Sequence, residues 1–244
     1  MALPRVIPCL LLCRRGLWKT TRFAEAVYVG DPLNVARIFN DKEVDEIVVL
    51  DIERGAHGPA FELLGEFASE VFMPMCYGGR VRSVADFERL FGLGIEKVTV
   101  NTAAVDTPTL VEEAATRFGS QSVAVSVDVR DGRVWVDGAA RDTGLDVVDW
   151  CQRVVALGAG EVLLTSIERE GTATGYDLDL VQRVAAAVSV PVIANGGAGS
   201  VADLRAAFAA GAGGVAAGRM FVQYGRFRAV LITYPSADER ASLE

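Results

Sequence analysis

Two glycine-rich turns are the parts of this sequence best suited to bind an anionic ligand. The first contains Gly78 and Gly79, the second contains Gly196 and Gly197, and an apolar run precedes each pair. Glycine lets the backbone approach a ligand closely, and the N–H groups at the start of a following helix attract negative charge. Each pair has a partner turn one predicted strand later, made of Asn101 and Thr102 in the first half and Gly218 and Arg219 in the second. The pattern predicts a ligand with two anionic ends, or one such ligand in a degenerate site.

Groups that could move a proton or bind a metal ion are scarce elsewhere. The first apolar run, 6–12, ends with Leu11 and Leu12, where a strand should face a reaction centre. A single histidine, His57, and four cysteines without metal-type spacing argue against a zinc site and against a serine–histidine–aspartate mechanism. We therefore expect no metal and no cofactor, and we expect structural, reduced thiols in a cytoplasmic protein.

Composition limits the kinds of partner. The 244 residues carry a net charge of -8, which argues against a nucleic-acid surface but not against a small anionic ligand held by backbone donors. No apolar run approaches the roughly 20 residues of a membrane span. We expect neither a nucleic-acid nor a membrane partner.

Short apolar runs alternate with amphipathic helical patterns along the chain. The predicted strands are 6–12, 46–52, 73–77, 97–100, 123–129, 162–165, 192–194 and 214–217. The predicted helices are 33–40, 59–70, 84–93, 109–118, 145–157, 178–188 and 201–210. Strands without a two-residue pattern are typical of parallel sheets covered on both faces. Eight such units predict an α/β fold, a single (β/α)8 TIM barrel domain over 1–244; a doubly wound sheet is the competing interpretation.

An internal repeat supports the barrel. Residues 74–86 align without gaps with residues 191–203, so that Ser83 matches Ser200 and Asp86 matches Asp203. The offset is close to half the chain, which indicates a two-fold half-barrel repeat.

Several motifs resemble the cyclase (synthase) subunit of imidazole glycerol phosphate synthase. They are "GSQSVAVSVDV", "TGLDVVDW", "LGAGEVLLTSIEREGTATGYDLDL", "PVIANGGAGSVADL" and "VNTAAV", which lie in the family's order and span nearly the whole chain. The resemblance implies a bis-phosphate ligand across the barrel mouth. It also implies ammonia made by a separate glutaminase docked on the opposite face and sent through the barrel.

The resemblance also assigns site residues. It implies that Asp128 is a catalytic acid or base, and that the second catalytic aspartate of the family is replaced by Leu11. Arg80 and Arg219 stand where the family has a glycine and a small residue, so either arginine can clamp an anion or fill the old phosphate site. The expected substrate- or phosphate-binding residues are Lys19, Gly78, Gly79, Arg80, Asn101, Thr102, Thr165, Gly175, Asn195, Gly196, Gly197, Gly218 and Arg219.

Four charged residues match the ring that gates the ammonia channel in that family. They are Arg5, Glu46, Lys97 and Glu161, at the start of the first, second, fourth and sixth predicted strands. The resemblance therefore implies that the ammonia entry is kept while the ring-forming chemistry is lost.

One branch of the family resembles this combination. The motifs "RVIPCLLL", "GLWKTTRF", "YVGDPLNVARIFNDKEVDE", "FMPMCYGG" and "FRAVLITYPS" are similar to cyclase-like proteins of surface-polysaccharide (O-antigen) gene sets, which are associated with amidation of acetamido sugars. That resemblance implies a glutaminase partner, an ATP-using amidation protein and a nucleotide-linked sugar as the anionic substrate. Two alternatives stay open: a genuine cyclase of histidine biosynthesis, and a non-catalytic barrel that activates a glutaminase and conducts ammonia.

Overall fold

A computed structural model describes residues 4–53, 55 and 57–243 and contains a closed barrel of eight parallel strands. The barrel strands are β1 (Val6–Cys13), β4 (Ile47–Asp51), β5 (Met75–Gly78), β6 (Lys97–Val100), β7 (Val123–Arg130), β10 (Glu161–Ser166), β11 (Val192–Asn195) and β12 (Gly214–Ala217). Each strand coincides with an apolar run of the sequence, and the pairing of β10 with β7 closes the ring. This confirms the barrel and rules out the doubly wound sheet, because an open sheet has two unpaired edges.

Most predicted strands match the observed ones within two residues. The third predicted strand, 73–77, starts too early, because β5 begins at Met75 and not at residue 73. Pro74 has no N–H to donate to a ladder, although its carbonyl accepts a hydrogen bond from Ile47 N at 2.9 Å.

Helices surround the barrel in the order that the sequence predicted. They are α1 (Pro32–Asp41), α2 (Phe61–Glu70), α3 (Val84–Gly92), α4 (Thr102–Asp106), α5 (Thr109–Phe118), α6 (Val147–Ala156), α7 (Leu178–Ala187), α8 (Val201–Ala209), α9 (Arg219–Val222) and α10 (Ala237–Ala241), with a 3-10 turn at Ser120–Ser122. The predicted helix at 145–157 begins too early, because Asp146 is its N-cap and accepts hydrogen bonds from Val148 N and Asp149 N. The short helices α4, α9 and α10 were not predicted.

Two antiparallel extensions of the barrel were also not predicted. After β1 the chain forms a hairpin of β2 (Gly16–Thr21) and β3 (Ala24–Gly30), and after β7 it forms β8 (Arg133–Val136) and β9 (Arg141–Asp146). A further short pair, β13 (Gln223–Tyr224) and β14 (Ala229–Val230), follows α9. Most of β3 is exposed, so its sequence lacks the buried alternation that marks a strand.

The barrel has an inner and an outer apolar core. Ile7 and Cys9 of β1 point into the lumen, whereas Val6 and Leu10 point outward against the helices. Successive side chains of a strand leave opposite faces, so one apolar run fills both cores. Within the described residues, no helix combines the length and the apolar character required to cross a bilayer.

The two-fold repeat is visible in the helix caps of α3 and α8. Ser83 and Ser200 each cap a helix with nearly the same backbone angles, and each forms a complete capping box, with Asp86 and Asp203 respectively. The carboxylate of Asp203 accepts from Gly199 N and Ser200 N, both at 2.9 Å. Those cap amides are therefore occupied by the protein's own carboxylate.

Because the two caps share one geometry, we expect removal of either cap to lower the free energy of unfolding by the same amount. Ser83→Ala and Ser200→Ala should each lower the free energy of unfolding by about 1 kcal/mol. Urea denaturation measures this, with Ser189→Ala at an exposed position as the control, which should change it by less than about 0.5 kcal/mol. Clearly unequal losses from the two serines would contradict the equivalence of the caps.

Candidate active site at the barrel mouth

The strand ends on one rim bring most of the predicted site residues together. The parallel order places the carboxyl ends of all eight barrel strands at the same opening, called the mouth below. Asp128, Thr165 and Asn195 lie at or within two residues of the ends of three neighbouring strands, β7, β10 and β11, and are all buried. Asn195 Nδ2 donates to Thr165 Oγ1 at 3.1 Å, so the three residues form one polar wall.

Asp128 is the carboxyl group of this wall. Asn101 Nδ2 donates to Asp128 Oδ2 at 2.7 Å, while the other amide atom, Asn101 Oδ1, is buried without a hydrogen-bond partner among the described residues. Burial raises the pKa of Asp128 to about 7, against the opposing effect of hydrogen bonds from Thr165 and Asn101. A carboxyl group that titrates near neutral pH is suited to general acid or base catalysis.

The opposite wall of the mouth is apolar. Leu11 of β1 lies beside Leu50 of β4 in the strand register, and both leucines follow the inward-facing positions Cys9 and Val48 by two residues. Strands β1 and β7 are four places apart in the ring of eight, so Leu11 stands across the mouth from Asp128. The structure therefore provides no carboxyl group at Leu11 to share acid and base roles with Asp128.

The first glycine turn is closed by an internal ion pair. Arg80 donates to Asp51 Oδ2, which also accepts from the hydroxyl of Tyr77 at 3.3 Å. Gly79 has a φ of +120°, and a Cβ there would lie 2.3 Å from Asp51 O. Gly78 and Gly79 therefore pack directly against β4, the strand that carries Asp51. The side chain of Arg80 is therefore held by Asp51, and both possibilities for it, binding an anion or filling the site, stay open.

Thr102 lies at the start of α4, one residue after Asn101. Its hydroxyl accepts a hydrogen bond from Asp137 N at 3.0 Å, which ties the start of α4 to the end of β8. Asn101 and Thr102 are thus placed at the mouth, but each already has a partner within the protein.

The second glycine turn is covered by the loop between β10 and α7. Gly197 has a φ of +116°, and a Cβ there would lie 2.2 Å from Gly175 O, so this close approach requires glycine at 197. Gly175 N donates to Gly197 O at 2.9 Å. Gly196, Gly197 and Gly175 therefore form one packed unit.

Arg219 begins α9 beside Gly218 and bends toward the same loop. Its Nη1 donates to Gly171 O at 2.9 Å and to Thr172 O at 2.7 Å. Burial and the nearby positive charge of Arg228 lower the pKa of Arg219. The guanidinium is thus occupied by backbone carbonyls and carries no carboxylate partner among the described residues.

Lys19 lies over the mouth in a buried ion pair that the sequence did not predict. Its Nζ donates to Glu170 Oε1 and to Thr20 O, and its stem passes 3.1 Å from the place of a Cβ on Gly218. Glu170 Oε2 also accepts from Phe23 N at 3.1 Å, so the β2–β3 hairpin is docked onto the β10–α7 loop. The predicted loop lysine is therefore buried, and Glu170 is a site residue that no local sequence signal distinguishes from its neighbours.

The opposite end of the barrel carries a complete ring of four charges, called the ion ring below. Arg5 Nη1 donates to Glu161 at 2.7 Å, Arg5 also pairs with Glu46, and Lys97 Nζ contacts Glu46 at 3.1 Å and Glu161 at 2.9 Å. Burial opposes the charge of Arg5 and Lys97, but the attraction of Glu161 and Glu46 outweighs it and raises the pKa of both. These four residues therefore contact one another at the end of the barrel opposite the mouth.

The lumen between the ion ring and the mouth is uncharged. It is lined by Ile7, Cys9, Val48, Cys76, Leu163, Ile193 and Ala216. Burial raises the pKa of Cys9 to about 12, and it raises that of Cys76 as well, so both thiols stay neutral. The side chains of this cluster are therefore all uncharged.

The fold and its two ends define the class of this protein, which is a (β/α)8 barrel with glycine turns at the mouth and an ion ring at the other end. The profile of the family described as histidine biosynthesis protein matches residues 5–227, and the chain belongs to this family. A Pseudomonas aeruginosa protein that carries the provisional name imidazole glycerol phosphate synthase subunit hisF2 is 48% identical over 96% of this chain and 97% of its own. A similarly named hisF3 of Vibrio vulnificus is 41% identical over 97% and 94%.

A relative with the unqualified name covers less of the chain. The imidazole glycerol phosphate synthase subunit HisF of Alkaliphilus metalliredigens is 43% identical over 86% of this chain and 86% of its own. Within the histidine biosynthesis protein family, this chain is thus a HisF-type subunit.

The raised pKa of Asp128 predicts a pH-dependent effect on stability. The folded protein binds this proton more tightly than the unfolded chain, so the stability it contributes is present at low pH and is lost between about pH 4 and pH 7. Asp128→Asn avoids that loss, so its stability relative to wild type should improve by about 1.4 kcal/mol per pH unit across this interval.

Urea denaturation at about pH 5 and about pH 8 measures this difference. The matched control is Asp131→Asn, at an exposed turn of left-handed backbone that asparagine accepts. Its difference from wild type should be the same at both pH values. An Asp128→Asn difference that is equally constant would contradict the raised pKa.

Proposed function

We propose that this chain is the ammonia-accepting synthase subunit of a glutamine-dependent amidotransferase. A glutaminase subunit would dock on the face that carries the ion ring, and ammonia would pass through the uncharged lumen to the mouth. The acceptor would be an activated acetamido group of a nucleotide-linked sugar used for surface polysaccharide. Membership of the HisF-type subunits supports the amidotransferase part, and the sugar rests on the motif resemblance.

The observation that carries the proposal is Leu11, which faces the mouth opposite Asp128. Imidazole ring formation in this family requires two carboxylates on opposite sides of the ligand, sharing acid and base roles. Leucine has no titratable group, so a reaction that needs only one proton acceptor fits this mouth better.

Amidation of an activated acetamido group is such a reaction. Ammonia would add to the imidate carbon, whose oxygen carries a phosphoryl or adenylyl group supplied by an ATP-using partner. The carbon–oxygen bond would then break, the phosphate or nucleotide would leave with the bonding electrons, and Asp128 would take the proton that the nitrogen loses. Its pKa of about 7 leaves it partly ionised at neutral pH, which suits a base.

The second candidate function is the cyclase reaction of histidine biosynthesis. Retention of Asp128 and both glycine turns favours it, and so does the name of the Alkaliphilus metalliredigens relative. Against it, Arg80 and Arg219 stand where the resemblance implies a glycine and a small residue at the phosphate turns, and they are held by Asp51 and by the β10–α7 loop. A third candidate, a barrel that only conducts ammonia, assigns no role to Asp128.

The test combines the chain with a glutaminase subunit and an ATP-using amidation protein, which are to be sought among the neighbouring genes. With amide-labelled glutamine and an acetamido nucleotide sugar, we expect label in an acetamidino product. Asp128→Asn should lower the rate by about a hundredfold, because general base catalysis contributes about that much or more. Asp131→Asn serves as the matched control and should retain the wild-type rate.

Other outcomes identify the competing functions. An unchanged rate in Asp128→Asn would favour the ammonia-conducting barrel. Growth of a cyclase-deficient histidine auxotroph on the wild-type chain would favour the cyclase. We expect no growth with the wild-type chain, because it has no carboxyl group at Leu11. We also expect none with Leu11→Asp, because a displacement of about 1 Å between an acid and its substrate can cost about a hundredfold in rate.

The ion ring predicts a split between the two ammonia sources. Lys97→Met removes one cation from the ring. The rate of amidation with glutamine should then fall at least about tenfold. The rate with added ammonium salt should stay near wild type, because that ammonia enters from the mouth. Lys42→Met, at an exposed site after α1, is the control. Equal losses with both nitrogen sources would assign the ring a structural role only.

A further inference from the structure

A basic cleft lies beside the mouth and is not part of the glycine turns. It has a volume of about 480 Å³ and is lined by Arg22, Arg130, Glu168, Arg169 and Thr174. Arg22 comes from the turn of the β2–β3 hairpin, Arg130 ends β7, and the other three belong to the β10–α7 loop. Three separate parts of the chain therefore contribute one positive charge each to one cleft, in a protein of net charge -8.

Uncharged groups hold the three guanidinium groups in place. Arg22 Nε donates to Glu168 O at 3.1 Å, and Arg169 Nη1 donates to Thr174 O at 3.2 Å. The guanidinium of Arg130 lies 4.7 Å from the ring centre of Trp135. Across the described residues, none of the three has a carboxylate within 4.0 Å, so their positive charges are not neutralised by an ion pair.

This arrangement matches a diphosphate better than a single phosphate. Each guanidinium is planar and can donate two parallel hydrogen bonds to phosphate oxygens. Three arginines around one cleft exceed what one phosphate group needs, whereas a diphosphate presents two anionic groups a few ångströms apart. Glu168 would repel a phosphate placed against it, and its carboxylate would instead accept hydrogen bonds from hydroxyl groups carried by a diphosphate ester.

The position of the cleft relates it to the chemistry of the mouth. Arg130 follows Asp128 by two residues on β7, so both side chains leave the same face of the strand with Cα atoms about 7 Å apart. Arg169 immediately precedes Glu170, which holds Lys19 over the mouth. A group attached to a diphosphate in the cleft would therefore extend toward Asp128.

We propose that the cleft between Arg22, Arg130 and Arg169 binds the diphosphate of the acceptor substrate and presents the attached group to Asp128. The diphosphate preference stands on the cleft alone. The statement that the ester is a nucleotide-linked sugar rests on the proposed function.

Calorimetric titration of the purified chain with inorganic pyrophosphate and with orthophosphate tests the cleft directly. We expect pyrophosphate to bind at least about tenfold tighter than orthophosphate, since its two phosphate groups offer more oxygen acceptors to the three arginines than one group does. Arg22→Gln and Arg130→Gln should each weaken pyrophosphate binding by about tenfold or more. The matched control is Arg133→Gln, which removes the same charge three residues beyond Arg130 and outside the cleft, and it should bind pyrophosphate within about twofold of wild type.

Equal weakening in Arg133→Gln would show a general effect of charge and would overturn the cleft as a site. Absence of pyrophosphate binding, or binding unchanged in Arg22→Gln and Arg130→Gln, would also overturn it. Kinetics separate this inference from the proposed function. If the acetamidino product forms and the KM for the acceptor does not rise in Arg130→Gln, the cleft is rejected and the amidation stands. If Arg130→Gln abolishes pyrophosphate binding but no amidation is observed with any chain, the cleft stands and the amidation is rejected.

Discussion

The pairing of β7 with β10 closes the barrel, and its register determines both ends of the lumen. Glu161 pairs in register with Ala124 at one end, and Thr165 pairs with Asp128 at the other. The same register therefore places Glu161 in the ion ring and a hydroxyl beside the buried carboxyl of Asp128. A slip by one residue would turn every side chain of β10 to the other face and disrupt both features at once.

The mouth differs from the ion ring in how its charges are satisfied. At the ring, two cations and two carboxylates neutralise each other in a closed cycle. At the mouth, Lys19 pairs with Glu170, and Arg80 pairs with Asp51 and lies 3.9 Å from Glu53, in places where a ligand would also bring negative charge. Separating such a pair leaves a buried charge, which is unfavourable unless another charge replaces it. An anionic ligand is therefore the natural partner that could open these contacts.

The fold followed from the sequence more completely than the site did. Apolar runs such as Val123–Arg130 identify barrel strands because parallel strands are covered on both faces. The exposed strand β3 has no such run, and it forms because it pairs with β2 and docks through Phe23 onto Glu170. The contact of Lys19 with Glu170 joins residues far apart in the chain, and so does the cleft of Arg22, Arg130 and Arg169. No local pattern encodes these contacts, so only the three-dimensional arrangement of the loops reveals them.

The two ends of this barrel carry different kinds of side chain. One end holds all four charges of the ion ring in contact, and the side chains of the cluster beyond it are neutral. At the mouth, Asp128 faces Leu11, while Arg80 beside the first glycine turn is held by Asp51 and Arg219 beside the second is held by the β10–α7 loop. Since catalysis depends on interactions made at the reacting atoms, the groups at the mouth, and not those of the ion ring, decide which acceptor can react. Three arginines without a carboxylate partner, Arg22, Arg130 and Arg169, lie together in the cleft beside the mouth, which is where we propose that the anionic part of the acceptor is held.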